Sequence, residues 1–484
     1  MQTYKKFFLF PVAIAALCFS DSESAFASTA DDLKDIDFLV ATVRENYAGF
    51  MEKMTPQMEP QLTTITEQLR EKAGHASEVE LLQLMREWTE IFNDNRLRIV
   101  FSGAHQDEFV QQGAKEAEQR PDLTDQFARS YFKTNVAKLD PIEGIWTNVA
   151  GNSDFALIRD SPGKFIAVML RTGDDHWAPG FVKAHLETAP NGNYPTLFVG
   201  HSFLRYHFQS HLLSNGNVLK LGGYWKRIFP EPTQQVDLKQ YVSEREFSLR
   251  PFNENTLLIR LPDFYANHLS DLQHLFAENS DLINRTPNWV IDLRANEGGS
   301  DFVYDRLIDY LYTRPIYQIE YQYLATPENL DYLNGILQTP ALPEAEKKQT
   351  QILIDRMHQH MHQFVTASDK QFSIITRPNI LAYPKKVGIL ITGATGSAEK
   401  FVLDTRQSRK VTLFGGNTTG AIDYSSTNKI TLPSGRFELF YPISRSLRLP
   451  EEPLENIGIP ADIAIPETET DPIGYVEHAI RQGG

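Results

Sequence analysis

Apolar residues recur at helical spacing in the first part of the chain, after residue 27. The intervals of three and four residues are those of one face of an α-helix, as in Leu33, Ile36, Leu39, Val40 and Val43. Ranges 61–70 and 78–92 continue the pattern, and a polar stretch at 93–96 ends it. We therefore predict an N-terminal helical domain over residues 28–137.

Short apolar runs separated by Gly, Asn, Asp and Pro replace this pattern from about residue 138. Examples are the runs 155–158, 165–170 and 196–199. Regularly spaced short strands with turns are typical of a small antiparallel barrel or sandwich, which we predict over residues 138–248. The aromatic residues of this range fit a barrel core, and a ligand-binding mouth is the alternative.

A mixed α/β pattern begins at about residue 249 and continues to residue 484. Apolar strand candidates at 256–261, 289–293 and 387–391 are followed by helical patterns. A polar helical insertion over residues 326–366 interrupts them. The fold class predicted for the whole chain is an α+β multidomain protein.

One of these strands leads into a turn that fits a nucleophile. The apolar run 387–391 is followed by Thr-Gly-Ala-Thr-Gly, and Ser397 then opens a helical pattern. A serine at such a strand-to-helix turn exposes its hydroxyl, and the first helical N–H groups, including that of Ala398, can stabilise an oxyanion. A serine hydroxyl also needs a base to become a strong nucleophile.

A second strand, 289–293, leads into a polar turn with paired glycines, Gly298 and Gly299. Because glycine lets backbone N–H groups approach a ligand closely, this turn can supply the other half of an oxyanion hole. Taken alone, the turn equally fits an ordinary tight connection between a strand and a helix.

Five motifs occur in a fixed order between about residues 250 and 480. They are Ile-Asp-Leu-Arg-x-Asn-x-Gly-Gly at 291–299, Gly-Ser-Ala-Glu at 396–399, Gly-x-x-Thr-x-Gly at 415–420, Leu-Pro-x-Gly at 432–435 and Gly-Ile-Pro-x-Asp-Ile at 458–463. In this order they resemble the C-terminal-processing (tail-specific) serine peptidase family, including its tricorn-type branch. The resemblance implies a crotonase-like (ClpP-like) α/β peptidase core with Ser397 as nucleophile. It also implies oxyanion amides at Ala398 and at Gly299 or Gly298.

This chain differs from the family pattern at both positions that supply the catalytic base. One branch of the family places a lysine directly after Thr-x-Gly, where this chain has Ala421. The other branch takes a histidine from an Asp-x-His segment, and the corresponding residue here is Arg96. Glu455 matches the acid that orients the family histidine. An arginine stays protonated and cannot accept the serine proton.

Other roles remain open for these positions. Arg96 can form an ion pair with Glu455, or bind a substrate C-terminal carboxylate through a bidentate contact. His105 and Lys400 are the alternative bases, although a surface role is the simpler interpretation of both.

These observations favour an exported serine-type endopeptidase that hydrolyses peptide or protein substrates through Ser397. The alternative is a catalytically impaired pseudo-peptidase that binds a peptide or another ligand, because Arg96 and Ala421 replace the usual bases.

Export is predicted from the N-terminal sequence. Residues 1–27 combine a basic start, an apolar run from Phe7 to Phe19 and an Ala-Phe-Ala cleavage site ending at Ala27, as in a signal peptide. Cys18, the one cysteine, falls inside it. We therefore expect a periplasmic or secreted protein that needs no disulfide.

Charge and ligand spacing restrict the partners. The net charge of −15 disfavours nucleic acid, and the N-terminal apolar run is too short to span a membrane. No zinc-ligand spacing is recognised, so we expect neither metal nor cofactor. A cluster of His358, His360 and His362 fits a solvated helix surface better than a metal site. The oligomeric state is left open.

Overall fold

The computed structural model describes residues 29–190, 192–238, 246–294, 296–340, 342–466, 469 and 471–482. The predicted signal peptide and its cleavage site lie outside these residues. Across the described ranges, no helix combines the length and the apolar character needed to cross a membrane.

The α-helices of the described residues are α1 (Thr29–Asn46), α2 (Phe50–Lys53), α3 (Glu59–Ala73), α4 (Glu78–Glu90), α5 (Gln106–Glu116), α6 (Asp125–Asn135), α7 (Leu269–Glu278), α8 (Ser280–Ile283), α9 (Asp301–Leu311), α10 (Pro327–Leu337), α11 (Glu344–Gln359), α12 (Ser397–Thr405) and α13 (Pro472–Gln482). The strands up to residue 253 are β1 (Arg98–Phe101), β2 (Gly144–Thr147), β3 (Asp154–Ser161), β4 (Lys164–Arg171), β5 (Val182–Glu187), β6 (Tyr194–Val199), β7 (Arg205–Leu213), β8 (Val218–Lys220), β9 (Tyr224–Phe229) and β10 (Ser248–Asn253). The later strands are β11 (Thr256–Arg260), β12 (Asn288–Asp292), β13 (Ile316–Ile319), β14 (Tyr321–Leu324), β15 (Phe364–Thr366), β16 (Phe372–Ile375), β17 (Lys386–Leu390), β18 (Val411–Phe414), β19 (Tyr424–Thr431) and β20 (Phe437–Ser446).

A five-stranded sheet in the order β10–β11–β12–β17–β18 forms the centre of the α/β part. Strands β11, β12, β17 and β18 are parallel, and β10 pairs antiparallel at one edge. The inner strands are apolar throughout because helices cover both faces of the sheet. One face packs against α7, α9 and α12, and the other packs against α13.

The parallel arrangement brings two motif-bearing turns together. Asp292 at the end of β12 is paired with Leu390 at the end of β17. The turns that follow these strands therefore leave the same edge of the sheet, where ligands bind in open α/β sheets. The glycine turn at 298–299 and the serine turn at 396–397 meet at this edge.

A second sheet joins the N-terminal helices to the α/β part. Its order is β1–β20–β14–β15, with β19 also paired to β20. Strand β1 follows directly after the polar stretch 93–96 and pairs with β20, Arg98 opposite Phe440. One hydrophobic core contains side chains of α1, α3, α4, β1 and β20, together with α10 and α11 of the predicted insertion. Arg96 is thereby held beside the α/β part although it lies about 300 residues from Ser397 in the chain.

Strands β2 to β9 form a closed antiparallel barrel, as predicted for this region. Its interior holds Trp146, Phe155 and Leu157, and Trp177 packs into the same core. The alternate residues of β3, Ala156 and Ile158, pack with Phe132 of α6 on the outside of the barrel. Because α6 covers this outer face, residues on both faces of β3 are apolar, and its sequence is a continuous apolar run rather than an alternating one.

The predicted fold class is confirmed, since the chain is a mixed α/β multidomain protein with an eight-stranded barrel. The predicted domain boundaries stay predictions. Helices α10 and α11 lie within the predicted insertion, residues 326–366.

Candidate active site

Ser397 lies at the first position of α12, directly after Gly396. Gly396 has a φ of +61°, a conformation that glycine adopts without strain and other residues rarely do. The Ser397 hydroxyl donates a hydrogen bond to the carbonyl oxygen of Gly299 over 2.7 Å. A peptide carbonyl cannot take up the serine proton at neutral pH, so this contact orients the hydroxyl and does not activate it.

The paired glycines pack directly against the serine turn. A Cβ on Gly298 would lie 2.8 Å from the Thr395 carbonyl oxygen, and one on Gly299 would lie 2.2 Å from Phe264 backbone atoms. Phe264 pairs with the Gly298 carbonyl and the Ser300 amide. On the other side of this segment, the Gly299 carbonyl oxygen faces Ser397 and accepts its hydroxyl hydrogen bond.

The second predicted oxyanion amide, that of Ala398, is also at this turn. It donates to the Thr395 carbonyl oxygen over 3.1 Å within the turn itself. Gly299 and Ala398 thus both lie beside Ser397, and the Ala398 amide has to leave its internal partner before it can bind an oxyanion. Their roles as oxyanion donors remain predictions.

Glu399 holds the serine turn in place, a function that the sequence analysis did not assign. Its carboxylate is completely buried and accepts hydrogen bonds from the amides of Gly396 (3.0 Å), Gly420 (2.8 Å) and Ala421 (2.8 Å) and from the Thr418 hydroxyl (2.6 Å). One side chain therefore ties the serine turn to the Gly-x-x-Thr-x-Gly loop. The available sequence signal was the spacing of the glutamate three residues after the helix cap, as in a capping box.

Arg96 occupies the space above the serine turn. Its Nε donates to the Ala421 carbonyl oxygen over 2.9 Å, and its backbone amide donates to the Asp94 carboxylate over 2.9 Å. The guanidinium covers Gly396 so closely that a Cβ there would lie 2.6 Å from Nη2. The structure thus brings together the two positions of the family bases, 96 and 421, and neither side chain can accept a proton.

The ion pair between Arg96 and Glu455, one of the two alternatives left open for Arg96, is not formed in the described part of the chain. The carboxyl oxygens of Glu455 are inaccessible to solvent and have no hydrogen-bond partner among the residues that the structure describes. Its backbone amide donates to Asp423 over 2.8 Å, and the buried Asp423 also accepts from Arg448 over 2.7 Å. Asp423 therefore positions the Glu455 segment, a second function that the sequence analysis did not identify.

The environment of Glu455 favours its neutral form. Burial raises the pKa of the Glu455 carboxyl to about 8, and the nearby negative charge of Asp94 acts in the same direction, while Lys53 and Arg96 oppose it. At neutral pH Glu455 is therefore mostly a carboxylic acid. Lys53 and Arg96 are close enough for their charges to act on Glu455, but neither forms a hydrogen bond with its carboxyl group among the described residues. The role of Glu455 as the acid that orients a histidine stays a prediction.

This pKa predicts a pH dependence of stability. Because the folded pKa lies above the ordinary value of 4.5, the folded protein binds more protons than the unfolded chain between about pH 4.5 and 8. The free energy of unfolding should therefore fall as pH rises through this window, by up to about 1.4 kcal/mol per pH unit from this group. Urea unfolding of the mature chain at pH 5, 6.5 and 8 measures the slope.

Glu455→Gln should flatten that slope, since the amide does not titrate. The matched control is Glu451→Gln, which changes an exposed glutamate of the same segment and should leave the slope as it is in the wild-type chain. An unchanged slope in Glu455→Gln would show that the side chain ionises freely in the folded protein.

The alternative bases are placed elsewhere. Lys400 donates to Asp301 over 2.6 Å. Burial is the largest single effect and lowers the pKa of Lys400, but the charge and hydrogen bond of Asp301, with the charges of Tyr321 and Asp404, together raise it well above the ordinary value. Lys400 is therefore a fixed cation. His105 lies before α5, packed on Phe109 and 3.8 Å from Glu108. Among the described residues, neither forms a hydrogen bond with Ser397.

The histidine cluster at 358–362 does not form a shared helix face, because α11 ends at Gln359. The residues that the structure describes gather no group of metal-ligating side chains there.

Comparison with known proteins identifies the α/β part. Residues 255–465 match the model of peptidase family S41. This part of the chain is a peptidase family S41 domain. The S41 domain contains Gly299, Ser397, Ala421 and Glu455, whereas Arg96 reaches it from outside the matched residues. No curated protein matches the chain.

The solved structures to which the chain shows similarity include mature CPAF, with 12% identity over 94% of this chain and 97% of that one at a TM-score of 0.49. A lipoprotein from Streptococcus agalactiae has 11% identity over 96% of this chain and 99% of that one, with a TM-score of 0.39. The photosystem II D1 C-terminal processing protease has 11% identity over 92% of this chain and 97% of that one, with a TM-score of 0.35.

Proposed function

We propose that this protein is an exported S41-type protein that binds a peptide or protein segment at the Ser397 cleft, with hydrolysis strongly impaired. One observation carries the proposal: the guanidinium of Arg96 covers the serine turn, where the family places its histidine. Among the described residues, the hydroxyl of Ser397 contacts a carbonyl oxygen and no base. Peptide binding with impaired hydrolysis, the alternative in the sequence analysis, is therefore preferred here to active hydrolysis.

The charges of the cleft support a bound carboxylate. The Nη nitrogens of Arg96 have no acceptor among the residues that the structure describes, so they remain available to a ligand. Arg98 lies close enough to Arg96 for the two charges to interact: burial lowers the pKa of Arg98, and Arg96 lowers it further. Two neighbouring guanidiniums favour an anion, and the C-terminal carboxylate of a peptide is the anion that a peptide-binding cleft would meet.

Peptide hydrolysis through Ser397 is the second candidate. It is favoured because the S41 domain retains Ser397 at its nucleophile turn, together with Gly299 and Glu455. Under this candidate, a base has to reach Ser397 after substrate binding, and Arg96 has to move away from the turn.

Fluorescein-labelled casein distinguishes the two candidates, because binding and cleavage can be followed on the same probe. The mature chain is used as recovered after export, with its N-terminus expected at Ser28 by mass spectrometry. We expect casein to bind, and we expect its cleavage by the wild-type chain not to exceed that by Ser397→Ala. Cleavage that Ser397→Ala abolishes would establish hydrolysis instead.

A set of labelled peptides with free or amidated C-termini tests the carboxylate contact. Amidation and Arg96→Ala should each weaken binding, and the two changes together should weaken it no further than either alone. If neither casein nor any peptide of the set binds, the peptide-binding proposal is wrong.

A further inference from the structure

A cluster of metal-ligating side chains lies at one end of the barrel, outside the S41 domain. Asp174 and His176 belong to the loop between β4 and β5, and His201 belongs to the turn between β6 and β7. One ligand atom from each side chain lies within 4.8 Å of the other two. Of the described residues, these three form the one group with such proximity.

The ligand atoms of the three side chains lie close to one another. Nδ1 of His201 lies 2.7 Å from Oδ2 of Asp174. The imidazole rings of His176 and His201 have centroids 5.2 Å apart and planes at 79°. Tetrahedral zinc places ligands of this kind about 2.0–2.2 Å from the ion, so their atoms are separated by roughly 3.3 Å. A small opening of the Asp174–His201 contact suffices to admit the ion.

The loop that carries two of the ligands is already ordered. Oδ1 of Asp174 accepts the backbone amide of His176 over 2.9 Å, which leaves Oδ2 directed at His201. The Asp174 amide donates to the Thr172 hydroxyl over 2.9 Å. This second layer of hydrogen bonds fixes the direction of the carboxylate, as outer groups do around metal ligands.

The two loops are also held together by aromatic packing. Trp177, next to His176, stacks on Phe203 at a centroid distance of 4.7 Å and an angle of 24°. Both rings are buried in the barrel core. Because these rings anchor both loops, the ligands are brought together without the ion, and little ordering is needed when it binds.

We propose that Asp174, His176 and His201 bind a zinc ion that joins these two loops, with a water molecule as fourth ligand. Two imidazoles and one carboxylate suit zinc, and three protein ligands leave one coordination position open. The proposal departs from the sequence expectation of no metal site. The ligands come from two loops, 25 residues apart, so neither loop by itself has a zinc-binding spacing.

The side chain of Lys183 lies near the proposed zinc site and can carry a positive charge. Its Nζ lies 3.6 Å from the centroid of the Trp177 ring, and its charge is near enough to interact with that of Asp174. Burial lowers the pKa of Lys183 to about 7, and the charge of Asp174 opposes that shift. The positive charge that remains at neutral pH should weaken zinc binding. Lys183→Met should therefore bind zinc more tightly than the wild-type chain, a result that a purely structural role of these residues does not predict.

The test is zinc binding by the untagged mature chain, measured by competition with a chromophoric chelator. We expect one tightly bound zinc ion per chain. His176→Ala and His201→Ala should each lose at least about tenfold in affinity. Co²⁺ bound at the same site should give the visible absorption of a four-coordinate ion.

His185→Ala is the matched control, since it removes a half-exposed barrel histidine that is paired with Glu118 and is not in the cluster. It should bind zinc as the wild-type chain does. The proposal is overturned if the wild-type chain takes up no stoichiometric zinc. It is also overturned if the His176→Ala and His201→Ala variants, folded by circular dichroism, bind zinc as tightly as His185→Ala.

Discussion

Replacing Arg96 with histidine should make Ser397 react with a fluorophosphonate probe at least about 100-fold faster than in the wild-type chain. A positioned general base contributes roughly 10²–10⁴-fold to such a step. Position 96 is suited to this substitution because its side chain already lies over the serine turn, against Gly396. Its backbone amide is fixed by Asp94 over 2.9 Å.

Glu455, the predicted orienting acid, is close enough to position 96 for the charges of the two side chains to interact. Its two buried carboxyl oxygens have no hydrogen-bond partner in the described part of the chain, and an imidazolium nearby would favour its ionised form. A neutral imidazole can accept the Ser397 proton, whereas the guanidinium of the wild-type chain cannot. Loss of the Arg96 hydrogen bond to the Ala421 carbonyl oxygen also frees the serine turn.

The measurement is the rate of covalent labelling of the mature chain, followed by gel fluorescence and mass spectrometry. Arg98→His is the matched control, because it places a histidine two residues further on, in β1, and should not raise the rate. Adding Ser397→Ala to the Arg96→His variant should abolish labelling, and adding Glu455→Gln should reduce it. Rapid labelling of the wild-type chain would show instead that Ser397 already has a base.

Replacing Glu399 with alanine should lower the free energy of unfolding by at least about 3 kcal/mol. The substitution leaves three backbone amides near the serine turn without an acceptor, and each buried unsatisfied group costs roughly 1–3 kcal/mol. Those amides belong to Gly396, Gly420 and Ala421. Urea unfolding followed by tryptophan fluorescence measures the loss.

Glu344→Ala is the control for this prediction. Glu344 is also a first-turn glutamate of a helix, but its side chain is 89% exposed and it pairs with Lys347 on the surface. Its replacement should change stability by less than about 1 kcal/mol. A similar small effect of Glu399→Ala would mean that water replaces the carboxylate at the three amides.

Local patterns were sufficient to predict the elements that build the site. The apolar run of β17, the glycines after it and the helical spacing from Ser397 specify a strand, a tight turn and a helix within 20 residues, and each is present. The family resemblance is confirmed by the S41 match over residues 255–465. The roles of Ser397, Gly299, Ala398 and Glu455 in catalysis stay predictions.

Contacts between distant parts of the chain could not be predicted in the same way. Arg96 reaches the serine turn because β1 pairs with β20, and the sequence gives no sign of that pairing. The sequence left open whether Arg96 pairs with Glu455, because that depends on the direction of the side chain. In the structure, Nε of Arg96 donates to the Ala421 carbonyl oxygen. The Asp174–His176–His201 cluster depends on how two barrel loops meet.

The amino-acid pattern alone was enough to predict a serine peptidase framework in which Arg96 and Ala421 replace the usual bases. This follows because nucleophile turns and glycine turns are local structures, set by the conformational preferences of a few adjacent residues. The packing of distant segments, in contrast, places Arg96 over the serine turn and leaves the Glu455 carboxyl oxygens without a hydrogen-bond partner among the described residues. Those outcomes depend on packing between segments about 300 residues apart, which no local preference specifies.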